Sequence, residues 1–269
     1  MSDVSVVIVS FNTKKLTLDC IGSIQKSSIL RIELVVVDNG SDDGTVASLK
    51  KLANKGVIKL IANKSNLGFA KANNQGIKEA RGEYVLLLNS DTVVKKNAID
   101  KLVEFAKSKT DAGVIVPKLL NIDGSLQGSV FRLPTLSRAI AQYWFSKKKL
   151  LDKYSPKTNV PIIVESAVMA AFLISPQALK KVGFLDERYF MYYEDHDYCR
   201  RLLSSGLRVY FIPSAEVVHV HGASGQGMAD EENQWRRLIP SSKLYHGIIM
   251  HSLITFVISS RRQMNKFFK

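Results

Sequence analysis

Two cysteines among 269 residues, Cys20 and Cys199, are far apart and match no metal or redox spacing, which excludes a cysteine-built centre. Each lies in a helical pattern beside apolar residues, so both are expected as buried free thiols. No apolar run reaches the roughly 18 residues of a spanning helix. The chain runs from Met1-Ser2-Asp3 straight into the apolar Val4–Val9, without the charged segment and cleavage site of a signal peptide. These absences predict a protein of the reducing cytosol. Acidic residues are also scarce: 24 Asp and Glu stand against 38 Lys and Arg, a net charge of +14. That balance favours an anionic partner, whether nucleic acid, acidic lipid headgroups or phosphorylated substrates. The excess is spread along the chain without a recognisable nucleic-acid reading motif, which argues against the first.

What is present is an alternation. Apolar runs at Ser5–Ser10, Glu33–Asp38, Val57–Ile61 and Tyr84–Leu88 are separated by helical patterns at Leu16–Gln25, Gly44–Ala53 and Ala70–Ala80. Such a βαβαβαβ order predicts an α/β fold on a parallel or mostly parallel sheet, with a nucleotide-sized crevice. Beyond it we expect a helix at Ala98–Lys107, a short strand at Gly113–Pro117 and turns over Gly124–Pro134. Ala139–Lys153 reads as a mobile, basic, partly aromatic surface element. A strand around Ile162–Ile174 precedes a helix at Pro176–Val182, and another helix spans Glu194–Ser204 with Gly206 past its end. Arg208–Ile212 and Val217–Val220 read as two short strands.

The polar residues that close the apolar runs carry the chemistry. Tyr84–Leu88 reads as a strand buried on both faces, so Asn89, Ser90 and Asp91 fall at its carboxyl end, where open α/β sheets bind ligands. Asp91 offers a hard oxygen to Mg²⁺ or Mn²⁺ and Asn89 a neutral one, although a polar turn before the next helix would use the same residues. Asp38 closes the second run before Asn39-Gly40-Ser41-Asp42-Asp43-Gly44; a carboxylate there can accept the N3–H of a uracil or thymine. Helix caps account for Asp42 or Asp43 but not for Asp38. Ser10 and Asn12 close the first run, on the other side of such a nucleoside. Asn66 can cap the helix that follows it, and small residues such as Gly68 let the backbone approach a diphosphate. Asn73 and Asn74 are poor helix formers within it. Glu194, Asp195 and Asp197 open a later helix, which complements its dipole but exceeds what capping requires. Glu194 and Asp195 point about 100° apart, so both cannot readily serve one hydroxyl. His219 and His221 share one face of a strand-like segment, where one imidazole can join oxygen ligands on a metal.

Val-Asp-Asn-Gly-Ser at 37–41, Asn-Leu-Gly-Phe-Ala at 66–70 and Leu-Asn-Ser-Asp at 88–91 resemble glycosyltransferase family 2, nearest its bacterial rhamnosyltransferase-like branch. The similarity continues through Phe184–Glu187, Tyr193–Cys199 and Val218–Gly222, covering roughly residues 4–225. The resemblance implies a GT-A fold, a nucleotide-binding half (1–92) merged with an acceptor-binding half (93–225), followed by a C-terminal amphipathic, basic helical tail (226–269). It implies inverting transfer of a sugar from a nucleotide diphosphate to an acceptor hydroxyl. Asp195 would be the general base, with Glu194 holding the acceptor or orienting the helix start. Asn89-Ser90-Asp91 would stand for the family's Asp-x-Asp, and Asp91 with His219 would hold Mg²⁺ or Mn²⁺. Ser10, Asn12 and Asp38 would hold base and ribose; Asn66, Gly68 and Asn73 would line the diphosphate and sugar. Asn at position 89 departs from the acidic pattern, and Met169 stands where relatives often have Gly, which puts inherited sugar specificity in doubt.

The donor expected first is dTDP-L-rhamnose, then UDP-sugars; the acceptor is a glycan, expected on a polyprenyl diphosphate carrier, in cell-envelope polysaccharide synthesis. Leu244–Ile258 is largely apolar and is followed by Arg261, Arg262, Lys266 and Lys269, so the tail either meets a membrane interface or packs on the body. The expected location is the cytoplasm, at the inner face of the membrane, with a homodimer as a further expectation. Two other readings compete: a sugar-phosphate nucleotidyltransferase, and a non-catalytic nucleotide-sugar or nucleic-acid binder. Against the first, Ser10-Phe11-Asn12-Thr13-Lys14 is not the Gly-rich loop such enzymes need after strand one; against the second, Asp91, Asp195 and His219 are all present.

Overall fold

The computed structural model describes residues 2–220 and 231–267. Its first half alternates β1 (Val4–Ser10), α1 (Lys14–Gln25), β2 (Ile32–Asp38), α2 (Thr45–Asn54), β3 (Lys59–Ala62), α3 (Phe69–Glu79) and β4 (Tyr84–Asn89). β1 pairs in parallel with β2 on one side and β4 on the other, and β2 with β3. The chain order therefore reverses at β1, which opens a crevice beyond the carboxyl ends of β1, β2 and β4. The strands are apolar on both faces because both faces are covered. Val4, Val6 and Ile8 meet α1 and α4 residues, whereas Val7, Val35 and Leu87 pack on the side of α3 and α7.

The second half continues through β5 (Thr92–Val94), α4 (Ala98–Ser108), β6 (Ala112–Leu120), β7 (Val130–Phe131), α5 (Leu136–Tyr143), β8 (Ile162–Val164), β9 (Ser166–Ala167), β10 (Ala171–Ile174), α6 (Pro176–Lys181), α7 (Glu194–Ser204), β11 (Arg208–His219), α8 (Glu231–His246) and α9 (Ile248–Phe267). The main sheet runs β3-β2-β1-β4-β10-β6-β11-β5, with β8 on β11, while β7 and β9 form a small ribbon. β10 is antiparallel to β4 and β6, and β5 is antiparallel to β11, so this half of the sheet is mixed.

Three expectations change. Ile162–Ile174 is three short strands, because Glu165 turns aside to a two-pronged pair with Arg138 (2.6 and 2.7 Å) and residues 169–170 form a turn. Arg208–Ile212 and Val217–Val220 merge into one strand, β11, with a register shift between Ile212 and Glu216 absorbing Pro213. Ala139–Lys153 is not a loose element throughout: α5 starts at a Thr135 cap and buries Ala139. Trp144 Nε1–H then donates to the Val257 carbonyl of α9 at 3.3 Å. Both cysteines are buried free thiols, each pushed up to about 12 by burial first. The tail boundary expected at 225/226 lies outside the described residues.

Gly76 sets the distance between α3 and β1, since a Cβ there would stand 2.2 Å from Cγ1 of the fully buried Val7. Gly76→Ala should overpack this contact and cost about 1–3 kcal/mol, read as a lower urea midpoint at unchanged slope.

Candidate active site

The loops after β1, β2 and β4 meet at the carboxyl edge, and short polar side chains tie them together. The Ser10 hydroxyl lies 2.8 Å from that of Thr17 and 3.2 Å from that of Thr13, which in turn is 3.0 Å from Ser90 Oγ. Ser10 and Ser90, expected at the crevice, are therefore buried and face the protein. Asp38 is fully buried. Its carboxylate accepts from the Gly40 and Ser41 amides (3.2 and 2.9 Å) and the Ser41 hydroxyl (2.7 Å), so it shapes its own loop. Asn12 takes a left-handed conformation (φ 51°) and accepts from the Asp42 amide at 2.9 Å, linking the first loop to the second.

The start of α3 is organised differently from the expected cap. Asn66 Oδ1 accepts from the Gly68 amide (2.9 Å) and from Asn39 Nδ2 (2.9 Å), and Gly68 is the capping position. Gly68 has φ 89°, and a Cβ there would meet the Phe190 carbonyl at 2.6 Å. That carbonyl takes the first helical amide, Phe69 N–H, at 2.7 Å. Gly68 thus admits the 190 loop rather than leaving this amide open for a phosphate. Asn73 donates to the Phe69 carbonyl, and the buried Asn74 pins Leu185 through both its amide atoms (2.8 and 3.0 Å). Of the two poor helix formers, Asn73 bonds back within α3 and Asn74 holds a distant loop.

At the far side of the edge, antiparallel pairing of β11 with β5 sets His219 opposite Thr92. His219 Nε2 lies 3.4 Å from Asp91 Oδ1 and 3.4 Å from Asn89 Nδ2. Gln127, which the sequence reading passed over, decides what that nitrogen offers. Its Nε2 donates to the His219 carbonyl (3.1 Å) and to Asn121 Oδ1 (2.8 Å), so its Oε1 faces His219 Nδ1 at 2.7 Å as acceptor. The proton then sits on Nδ1 and the Nε2 lone pair turns to Asp91, the arrangement that suits a histidine ligand. Among the described residues no group of three or more His, Cys, Asp and Glu gathers for a metal. A lone pair and a buried carboxylate converging this way fit a hard divalent ion that completes its shell with substrate phosphate oxygens. Met169 is buried beside this edge, where the neighbouring Ala170 carbonyl accepts from the Asn89 amide at 2.9 Å. His221 and Gly222 lie outside the described residues.

The third part of the site is the start of α7. Tyr192 and Tyr193 both adopt left-handed φ (70° and 68°), and this corner presents Glu194 and Asp195. Glu194 is buried with no partner for Oε2, and its carboxyl is pushed up to about 8 by burial first and the Asp195 charge second. Asp195 is half-buried and accepts from the His196 amide at 2.8 Å. Asp197 is turned away, paired with Arg200 and Arg201. The two halves are joined by residues 127–131. Gln127 holds His219 at one end, and at the other Phe131 meets the His196 ring edge-on, centroids 4.6 Å apart. Lys153 lies against Gly128 in this stretch; burial lowers its ammonium's affinity for the proton and the Asp195 charge restores part of it.

A family model, Glycosyl transferase family 2, matches residues 5–172. Among curated proteins, the N-acetylglucosaminyl-diphospho-decaprenol L-rhamnosyltransferase of Mycobacterium tuberculosis is 30% identical over 217 residues, 73% of this chain and 68% of the relative. The dTDP-rhamnosyl transferase RfbF of Shigella flexneri is 26% identical, covering 82% and 70%. Among solved structures, GalNAc-T7 with UDP, GalNAc and Mn²⁺ superposes with a TM-score of 0.65 at 19% identity, over 82% of this chain and 44% of that one. S. aureus TarS 1-349 with UDP-GlcNAc gives 0.59 at 19%, over 89% and 65%. The chain thus spans about two thirds of these curated relatives and less than half of the GalNAc-T7 chain.

Two outcomes are expected from the site's geometry. Replacing Gln127 by Leu should weaken Mn²⁺ binding in the presence of a nucleoside diphosphate by about 10–100-fold, measured by Mn²⁺ electron paramagnetic resonance on protein shown to be folded. For Glu194, the folded state holds the proton more tightly than the unfolded chain, whose carboxyl titrates at its ordinary value of 4.5. Its burial is therefore without electrostatic cost below pH 4.5, and stability declines as pH rises from there to about 8. Glu194→Gln should flatten that decline in urea titrations across this range.

Proposed function

The chain belongs to glycosyl transferase family 2 and is a GT-A glycosyltransferase of the rhamnosyltransferase-like branch; from that premise we propose a metal-dependent, inverting hexosyl transfer. The donor is a nucleoside diphosphate sugar, dTDP-rhamnose first and a UDP-sugar second. The acceptor is a glycan hydroxyl on a polyprenyl diphosphate carrier, met in the cytoplasm at the inner face of the membrane, in cell-envelope polysaccharide synthesis. The names of the M. tuberculosis and S. flexneri relatives, a rhamnosyltransferase acting on a diphospho-decaprenol and a dTDP-rhamnosyl transferase, support the sugar and the lipid carrier.

The observation that carries the reading is the convergence of Asp91 and the His219 lone pair at the carboxyl edge, with Asp195 across the 127–131 segment. Asp91 and His219 would hold Mg²⁺ or Mn²⁺, with Asn89 beside them. A bound ion of this kind supplies Lewis-acid stabilisation to a departing diphosphate. Asn12 and Asp38, with Ser10 behind them, would frame the base and ribose through their loops; Asn66, Gly68 and Asn73 would frame the sugar side through theirs. Asp195 takes the proton from the acceptor hydroxyl as that oxygen attacks the anomeric carbon from the face opposite the diphosphate. Glu194, kept neutral by burial, holds a proton it can donate in a hydrogen bond beside Asp195.

Turnover of a nucleotide-sugar panel with metal and a lipid-diphosphate glycan tests the reading. Acceptor-dependent release of one nucleoside diphosphate is expected. Asp195→Asn should lower it by about 10²–10⁴-fold while donor binding persists. Failure of the folded protein to bind any nucleotide sugar with metal present would overturn it.

A further inference from the structure

α9 is apolar on more sides than the protein covers. Ile254 is buried and the Val257 carbonyl is held by Trp144, which defines the inner face. Ile249, Leu253 and Phe256 recur at i, i+4 and i+7 on another face, with exposures of 79%, 45% and 67%. At the end of α5, against the same helix, Trp144 and Phe145 are exposed as well. Isolated apolar side chains on a surface need no explanation, but contiguous ones from two packed helices mark an interaction surface.

Charge selects the occupant. Neither 136–151 nor 248–269 contains an Asp or Glu, while together they contain eight Lys and Arg. Lys147, Lys148 and Lys149 follow one residue after Phe145 and are all exposed. A second copy of the chain would bring one such basic surface against another within a molecule of net charge +14. An anionic bilayer offers the opposite charge together with an apolar interior. No helix among the described residues is long and apolar enough to cross a membrane, so the fitting geometry is one in which α9 lies in the interface. Trp144, whose indole N–H is satisfied within the protein, can then present its ring at headgroup depth.

We propose that the outer face of α9 and the end of α5, with Ile249, Leu253, Phe256, Trp144, Phe145 and the Lys147–Lys149 run, form a docking surface for an anionic lipid bilayer. This deepens the membrane location given above, but it rests on the surface itself and not on the transfer chemistry. Docking would supply a lipid-linked acceptor by diffusion in two dimensions, to a site carried on the same body.

The test is co-sedimentation of the full chain with phosphatidylcholine vesicles, with and without phosphatidylglycerol, at low and high salt. Two variants accompany the wild type. One carries Ile249→Ser, Leu253→Ser and Phe256→Ser; the other carries Lys147→Gln, Lys148→Gln and Lys149→Gln. Binding should require phosphatidylglycerol, weaken with salt, and fall about tenfold or more in each variant. Melting curves and donor hydrolysis in the absence of vesicles should match the wild type, which separates this surface from the catalytic reading. Absence of vesicle binding by wild type, or binding indifferent to phosphatidylglycerol and to both variants, would overturn the proposal. So would wild-type self-association in sedimentation equilibrium that the apolar variant abolishes while vesicle binding stays as it was; the face would then belong to a second copy.

Discussion

The carboxyl edge of this sheet depends on how β11 ends. Asn89 and His219 are 130 residues apart in the chain and come within 3.4 Å because β11 runs antiparallel against β5 after pairing in parallel with β6. Side chains alternate along a strand, so a slip of one residue would carry the imidazole to the opposite face. The register shift between Ile212 and Glu216 is thus part of the site, although it lies well before His219 in the strand. Gln127 completes the arrangement. With the ring placed by the sheet, its carboxamide settles which nitrogen is the donor, and its own orientation is fixed by the backbone carbonyl of the residue it serves.

The second carboxylate region has a different support. Two consecutive tyrosines in the left-handed region cost about 1–3 kcal/mol each, and neighbours from three parts of the chain hold them. The Phe69 amide grips the Phe190 carbonyl, Ser241 Oγ donates to the Met191 carbonyl at 2.8 Å, and the Tyr245 ring stands 5.3 Å from that of Tyr193. Arg200 of α7 lies 4.0 Å from the Tyr245 ring centroid and donates to the Tyr245 carbonyl. The strain is distributed over α3, α7 and α8.

Much of this was legible in the chain. Strands buried on both faces leave continuous apolar runs, so the parallel half and the edge positions of Asp38 and Asp91 follow from composition and order, whereas the reversal at β1 emerges only from the strand pairing. The resemblance named the family. Less legible were the roles of short polar side chains, because Ser, Asn and Asp serve a turn as readily as a ligand. Ser10 and Asp38 bond to neighbours a few residues along their own loops, and Asn74 to Leu185, 111 residues away. Gln127 gave no local signal, since a glutamine after a turn looks like any surface residue until β6 and β11 bring it under His219. The unity of β11 was hidden by Pro213, which resembles a break and is accommodated as an irregularity.

The contact of α8 with the Tyr192–Tyr193 corner also orders events during synthesis. Every strand of the sheet precedes α8 in the chain, so a ribosome can have released the whole nucleotide crevice while the corner in front of Asp195 still lacks Ser241 and Tyr245. The buttress of the α7 start is made after every strand of the sheet. A nascent chain can thus assemble the crevice before it completes the setting of Asp195.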